Sequence, residues 1–456
     1  MKKYNNIIIG FGKGGKTLAG ALAGAGQSTV LVEQSPNMYG GTCINVACIP
    51  SKSLEHSARQ SASMGGTGAD KAARYQKAIE EKRRLTSALR RKNYDKLAGT
   101  GTEILTGKAS FIDSHHVQVT SEDGSKEVLY GDNIFINTGA RPFIPPIPGL
   151  MESGFAYTSE TMMELERLPE QLVIIGGGYI GLEFASYYAN FGSRVTVVQD
   201  GEAFIPREDA EIAKAVLDSL KERGVNVIRG AQVELVEERN GMACVHIAAK
   251  DGETQLLADA VLVATGRRPN LEGLHPEAAG IALTARGAVE ADAQLRTSVP
   301  HIWAMGDVAG GLQFTYISLD DSRIVKSQLL GDGSRTTENR GAVPYSVFLD
   351  PPLSRVGLTE AEAAARGYDV GVARLAAAAV PKAQVLRRPV GMLKAVIDKK
   401  TGIILGAHFF CPESHEMINL VKLAMDASLP YTVLRDGIFT HPTMSEALND
   451  LFASIK

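Results

Sequence analysis

Cysteine is scarce in this 456-residue chain, with four in all, at Cys43, Cys48, Cys244 and Cys411. So few cannot build a structural disulfide framework, and two of them close together point to chemistry rather than stapling. A strong charge of either sign is also lacking. The formal net charge of −3 argues against nucleic acid or an anionic membrane as the main partner. No apolar run approaches the length that spans a bilayer. The opening MKKYNNIIIGFGKGGKT has no secretory h-region, because Ile7–Ile9 runs into glycines, Lys13 and Lys16. A cytoplasmic protein is therefore expected. With 44% apolar and 22% charged residues the composition is that of an ordinary globular enzyme, too long for one core, so two or three domains are expected.

What the sequence does contain is a repeated supersecondary unit. Residues 6–33 read as a strand (Ile7–Ile9), a glycine turn (Gly10, Gly12, Gly15), a helix, and a strand ending at Glu33. Residues 171–200 read the same way, with Leu172–Ile175, then Gly176, Gly178 and Gly181, a helix, and Val195–Val198. Glycines at this spacing permit a tight turn and let backbone N–H groups approach a pyrophosphate at a helix N-terminus. Glu33, at the end of the second strand, suits ribose hydroxyls, and Gln199 is its counterpart in the second copy. Each copy is followed by a matching segment, NTGARP at 137–142 and ATGRRP at 264–269, and this ordered set makes coincidence a poor explanation. GFGKGGKT at 10–17 also fits a P-loop, but no convincing strand ending in a magnesium-binding aspartate completes such a site, and Glu33 favours a dinucleotide. The fold class expected is α/β, with two Rossmann-like dinucleotide-binding domains.

Between the halves lies GGTCINVACIPSKSLEHSA, residues 40–58. A zinc site would pair cysteines across a shorter gap and need a second ligand pair, which Cys244 and Cys411 do not supply, so no metal ligand is assigned. Cys411 and His415, one helical turn apart, are expected simply to pack. Pro50 is tolerated only in the first turn of a helix, so a helix should begin near Cys48, whose thiolate is stabilised there. Lys52 follows on the same face and adds positive charge.

The segment CINVACIPSK resembles the cysteine motif of the pyridine nucleotide–disulfide oxidoreductase family, Cys-x-Asn-x-Gly-Cys-x-Pro-[Ser/Thr]-Lys, and differs only in Ala47. The resemblance runs along essentially the whole chain. It implies a redox-active Cys43–Cys48 disulfide, with Cys43 as the thiol that meets substrate and Cys48 as the thiol against FAD. It also implies that Lys52 pairs with Glu183 of GGGYIGLEFA, and that Tyr179 covers the nicotinamide side of the flavin. FAD would be held by Gly10, Gly12, Gly15, Glu33, Gly41, Thr42, Lys52, Thr138, Gly139 and Asp307, the last within IWAMGDVAGG. NAD(P)H would be held by Gly176, Gly178, Tyr179, Gly181, Gln199 and Gly266. The implied partition is a discontinuous FAD domain (1–150 and 265–340), an NAD(P)H domain (151–264) and an α+β dimerisation domain (341–456). In the last, His441 of HPTMSE, oriented by Glu446, would serve as acid–base for Cys43 of the partner subunit, so that active sites are shared in a homodimer.

For the substrate, GFGKGGKTLA, MYGGTCIN, PYSVFLDPPLSRVG, SHEMINLVK and above all FTYISLDD (314–321) look like a bacterial reactive-chlorine-resistance branch of that family. That likeness implies reduction of a small thiol-reactive oxidant, hypothiocyanous acid foremost, in oxidative-stress defence. Copper(II) or mercury(II) reduction and dihydrolipoamide dehydrogenation are the alternatives, although the chain shows neither an N-terminal metal-binding domain nor a C-terminal cysteine pair. Gln199 stands where NADH users carry a carboxylate, and only Arg194 precedes it as a possible phosphate ligand, so NADH or dual use is expected. A non-enzymatic nucleotide-binding protein is the reading from another class. It requires a colourless protein, indifferent to Cys43→Ser.

Overall fold

The computed structural model describes residues 1–250 and 252–455. It divides into two compact units. The first comprises residues 1–53, 77–143 and 266–340, and the second residues 54–76, 144–265 and 341–456.

In the first unit the strand Lys2–Ile9, apolar at its Ile7–Ile9 end, lies at the centre of a seven-stranded sheet. It pairs in parallel with Thr29–Glu33 on one side and with Lys126–Ile136 on the other. Ile302–Ala304 joins Lys126–Ile136 in parallel, and the strands His116–Thr120 and Lys108–Phe111 extend the sheet antiparallel. Helix Lys13–Gly24 follows the glycine turn, with Leu18, Ala19 and Leu22 buried against Ile8, Leu31 and Phe135. Tyr4, Ile7 and Ile9 bury the other face of the sheet. Each of the fully buried Leu and Ile side chains contributes about 1.5–3 kcal/mol. A continuous apolar run is what a parallel strand covered on both faces requires.

The second unit repeats the design. Its parallel sheet has the order Asn226–Ile228, Arg194–Val198, Gln171–Ile175, Ala260–Val263, Ala156–Thr158. Helix Tyr179–Phe191 follows the second glycine turn. A three-stranded antiparallel sheet follows (Ala231–Arg239, Met242–Ala249, Gly252–Ala258). The C-terminal part is a five-stranded antiparallel sheet ordered Tyr345–Val347, Leu353–Gly357, Ile404–Phe410, Met392–Asp398, Val370–Ala376. Helix Ser414–Asp426 and the terminal helix Ala447–Ala453 pack into its core. Two Rossmann-like sheets and a C-terminal α+β segment make up the expected fold class. No helix among the described residues is long and apolar enough to cross a membrane.

Candidate active site

Cys43 sits in the single-turn helix Thr42–Asn45, and Cys48 opens the helix Cys48–Met64. Both are half-buried, and neither is in a disulfide. Ser51 N–H donates to Ala47 O at 3.0 Å, which places Ala47 at the N-cap and the positive helix end at Cys48. Ala47 is not among the described residues with left-handed backbone, so alanine replaces the family's glycine at no conformational cost.

The neighbouring Cys48 thiol, then burial, push the Cys43 thiol well above its usual range, while the Thr315 hydroxyl and the Lys16 ammonium pull it down. One thiolate with the other thiol donating to it is the stable arrangement, and the helix start selects Cys48 as the anion. Thr315 Oγ1 lies 3.5 Å from Cys48 Sγ, and the adjacent Tyr316 phenol is raised by burial and by Cys48. FTYISLDD, singled out in the sequence only as a branch marker, therefore begins at the sulfurs. Lys16, the lysine of the P-loop look-alike, donates to Asn93 Oδ1 at 2.5 Å and Gly40 O at 3.3 Å. Burial holds its ammonium down at about 8. Lys52 donates to Ser51 Oγ at 3.3 Å.

The first glycine turn is tightly built. Gly10 has φ +106°, and a Cβ there would come within 2.4 Å of Asn137 O. A Cβ on Gly12 would meet Asn137 Oδ1 at 2.6 Å, one on Gly15 would meet Gly10 O at 2.4 Å, and one on Gly41 would meet Gly12 Cα at 2.6 Å. Asn137 fastens the turn: its Oδ1 accepts from Gly15 N at 2.8 Å and its amide donates to Met305 O at 2.7 Å and Ser318 Oγ at 3.2 Å. The Glu33 carboxylate, raised by burial, accepts from Phe11 N at 3.0 Å and Ser35 N at 3.3 Å. Asp307, in the turn after Ile302–Ala304, is likewise raised by burial. Thr138 Oγ1 is buried without a hydrogen-bond partner, beside Gly139 at φ +73°. An orphaned hydroxyl, a buried carboxylate at the strand end and a turn with no room for side chains fit a bound FAD.

At the second turn Gly176 has φ +111°, with its Cβ position 2.4 Å from Ala264 O, and a Cβ on Gly181 would meet Gly176 O at 2.1 Å. Gly178 is exposed, and a Cβ there would meet nothing within 4 Å. The same openness holds at Gly266. Gln199 is buried and spends its amide donors on Gly201 O (2.6 Å) and Ala203 O (3.1 Å), so it braces its own loop. The Tyr179 hydroxyl donates to Glu208, which also accepts from Tyr345 at 2.5 Å, with the two phenol oxygens 3.3 Å apart. No motif announced Glu208, and Tyr345 stood in the sequence only within the branch marker PYSVFLDPPLSRVG. Glu183 accepts from Phe348 N at 2.8 Å. Lys52 lies in the first unit and Glu183 in the second.

Near the C-terminus, His441 Nδ1 is 2.7 Å from Glu446 Oε2, and Glu446 Oε1 accepts from Thr443 N at 3.3 Å. The histidine is 69% exposed and the carboxylate 19%. A fixed carboxylate on Nδ1 leaves Nε2 for a reaction partner. Cys411 is wholly buried in the core of the antiparallel sheet, and burial raises its thiol. His415 packs beside Phe348, ring centroids 5.5 Å apart, and burial lowers its imidazole.

Two dinucleotide folds, a dithiol at a helix start and a carboxylate-oriented histidine define a pyridine-nucleotide-dependent dithiol redox enzyme. The comparisons agree. The model of the pyridine nucleotide-disulphide oxidoreductases matches residues 4–322, and that of their dimerisation domain residues 343–452. The chain belongs to this family of flavoprotein oxidoreductases, whose members use FAD and NAD(P)H, and its dimerisation domain makes the homodimer the expected assembly. It is 50% identical to the probable pyridine nucleotide-disulfide oxidoreductase RclA of Escherichia coli, over 100% of both chains. It is 34% identical to a mercuric reductase of Staphylococcus aureus (98% of this chain, 81% of the relative) and 34% to a dihydrolipoyl dehydrogenase of Geobacillus stearothermophilus (96% and 93%). Among solved structures it is similar to a Cu(II) complex of the HOCl-induced flavoprotein disulfide reductase RclA from Escherichia coli, with 49% identity, 100% of both chains covered and a TM-score of 0.94.

Proposed function

We propose that this enzyme reduces a small thiol-reactive oxidant, hypothiocyanous acid foremost, in the cytoplasm, at the Cys43–Cys48 pair. The observation that carries the reading is the geometry of that pair, two half-buried thiols with Cys48 opening a helix and Thr315 Oγ1 3.5 Å from its sulfur. In the reduced pair Cys48 holds the thiolate and Cys43 keeps a proton. His441 of the partner subunit, oriented by its glutamate, takes that proton as the Cys43 sulfur attacks the sulfur of hypothiocyanous acid. Hydroxide leaves, and Cys43 becomes a sulfenyl thiocyanate. The Cys48 thiolate then attacks Cys43, expels thiocyanate and closes the disulfide. When bound, the flavin supplies the electron pair from NAD(P)H that reopens the disulfide.

Gly10, Gly12, Gly15, Glu33, Gly41, Thr42, Lys52, Thr138, Gly139 and Asp307 are assigned to FAD. Gly176, Gly178, Tyr179, Gly181 and Gly266 are assigned to NAD(P)H, and Lys52 and Glu183 keep the charged roles the family pattern implies. The domain limits proposed are 1–150 with 265–340, 151–264, and 341–456. Cofactor use is NADH or both nucleotides, since Gln199 offers no carboxylate and Arg194 stands alone on its strand end. Copper(II) reduction is the second reading, favoured by the likeness to a structure described as a Cu(II) complex.

The test is NAD(P)H oxidation by the purified protein with hypothiocyanous acid, copper(II), mercury(II), lipoamide and oxidised glutathione offered separately. Fast turnover with hypothiocyanous acid, lost in Cys43→Ser, supports the proposal. Preference for copper(II) or lipoamide replaces the substrate and keeps the dithiol chemistry.

A further inference from the structure

The third cysteine, Cys244, lies in a cluster of side chains that the redox reaction does not use. In the three-stranded sheet of the second unit, Glu237 lies directly opposite Cys244, and His246 directly opposite Gln255. Cys244 and His246 are two residues apart on one strand, so both project from the same face. The alternate residues Val236, Val245 and Ile247 fill the core on the other face. Cys244 Sγ is 3.8 Å from His246 Nε2, and His246 Nε2 is 3.0 Å from Glu237 Oε1. One ligand atom of each residue lies within 4.8 Å of the other two. Ligands bonded at 2.0–2.3 Å to one tetrahedral ion stand roughly 3.3–3.8 Å apart, so the set closes on an ion with small side-chain shifts.

We propose that Glu237, Cys244 and His246 form a three-ligand site for a borderline divalent cation of the zinc class, with the fourth position left to water. Thiolate, imidazole and carboxylate together suit such an ion better than magnesium or calcium. A thiolate and a carboxylate also cancel its two charges. Gln255 supplies the outer shell: one end of its amide is 3.4 Å from His246 Nδ1 and the other 3.8 Å from Cys244 Sγ. In the metal-free pattern the thiol donates to the amide oxygen, the amide donates to Nδ1, and Nε2–H donates to Glu237. Turning the amide over reverses both contacts. The amide oxygen then accepts from Nδ1–H, the amide N–H donates to a thiolate, and Nε2 presents its lone pair to the ion. On binding, the Cys244 proton passes to solvent, the Nε2 proton is exchanged for one on Nδ1, and zinc loses waters as the S–Zn, N–Zn and O–Zn bonds form. The Arg239 guanidinium, 3.5 Å from the amide oxygen, turns outward in this state.

The experiment is zinc(II) equilibrium dialysis of the FAD-loaded enzyme as wild type, Cys244→Ser, His246→Ala, Glu237→Gln and Cys43→Ser, with flavin content and far-UV circular dichroism as the check on folding in every variant. The expected result is that Cys244→Ser and His246→Ala each lose about one ion per chain, while Glu237→Gln binds at least tenfold more weakly. Cys43→Ser keeps that ion. Should the buried Cys244→Ser fail to fold, the half-exposed His246→Ala decides, together with cobalt(II) titration, in which wild type shows thiolate-to-cobalt absorption and His246→Ala does not. Unchanged zinc in His246→Ala and Cys244→Ser, or loss of the ion in Cys43→Ser, overturns the proposal.

Discussion

At Gly10 and at Gly176 the chain turns with nearly the same backbone, φ +106° and +111°, each held against the carbonyl just past the neighbouring parallel strand, that of Asn137 or Ala264. Behind that backbone the two turns part company. In the first, Asn137 reaches across to Gly15, Met305 and Ser318, and Gly12 has no room for a methyl group. In the second, the place of Asn137 is taken by Ala264, Gly178 stands in the open, and Gln199 turns back onto its own loop. A turn knitted to three neighbours suits a cofactor that stays. An open one suits a nucleotide that must enter and leave in every cycle, because a pre-formed but unlocked site binds without a slow rearrangement.

The contrast can be broken at the backbone first. Gly10→Val puts a side chain into a left-handed position and against Asn137 O, costing several kcal/mol, so little FAD-loaded protein should be recovered. Gly178→Ala, at an extended and open position, should leave flavin content and Tm unchanged and only raise the KM for NAD(P)H, by about 2–10-fold. Flavin-to-protein ratio and steady-state kinetics check both.

Next, Asn137→Ala gives the first turn the chemistry of the second. It leaves Gly15 N–H and Met305 C=O without their partner and should cost about 2–4 kcal/mol, with a lower Tm and faster flavin loss in urea. Lys16→Met has a smaller effect and a definite sign. Removing a cation that pulls Cys43 down lets its thiol rise, so alkylation of the reduced enzyme should slow about tenfold at neutral pH and its profile move to higher pH. The burial-lowered Lys16 itself loses its proton above about 8, so the wild-type advantage should fade there. The smallest change is Gln199→Glu. Since this side chain serves its loop, the NADH-to-NADPH preference should move by less than about tenfold, and loss of the two hydrogen bonds should cost roughly 1–2 kcal/mol in chemical denaturation.

The two Rossmann-like units were legible in the sequence because their signal is local, an apolar run, glycines at fixed spacing and a polar strand end. The dithiol was legible for the same reason, with Pro50 marking the helix start. Asn137, Thr315, Glu208 and Tyr345 were not, since each acts on residues far along the chain and leaves no periodicity. FTYISLDD was noticed without its reason, which is that Thr315 reaches the sulfur. Lys16 was noticed as part of a look-alike motif and turned out to sit by Cys43. Cys244 was set aside as a ligand, and Glu237 and His246 went unnoticed beside it, because strand pairing as well as spacing brings the three together.

The most direct test of the dithiol account uses Cys48→Ser protein, reduced and treated with one equivalent of hypothiocyanous acid, followed by peptide mass spectrometry. A thiocyanate adduct on Cys43, displaced by added thiol, is the predicted result. An unmodified Cys43, with the adduct on Cys244 or nowhere, would contradict the assignment of Cys43 as the thiol that meets the oxidant.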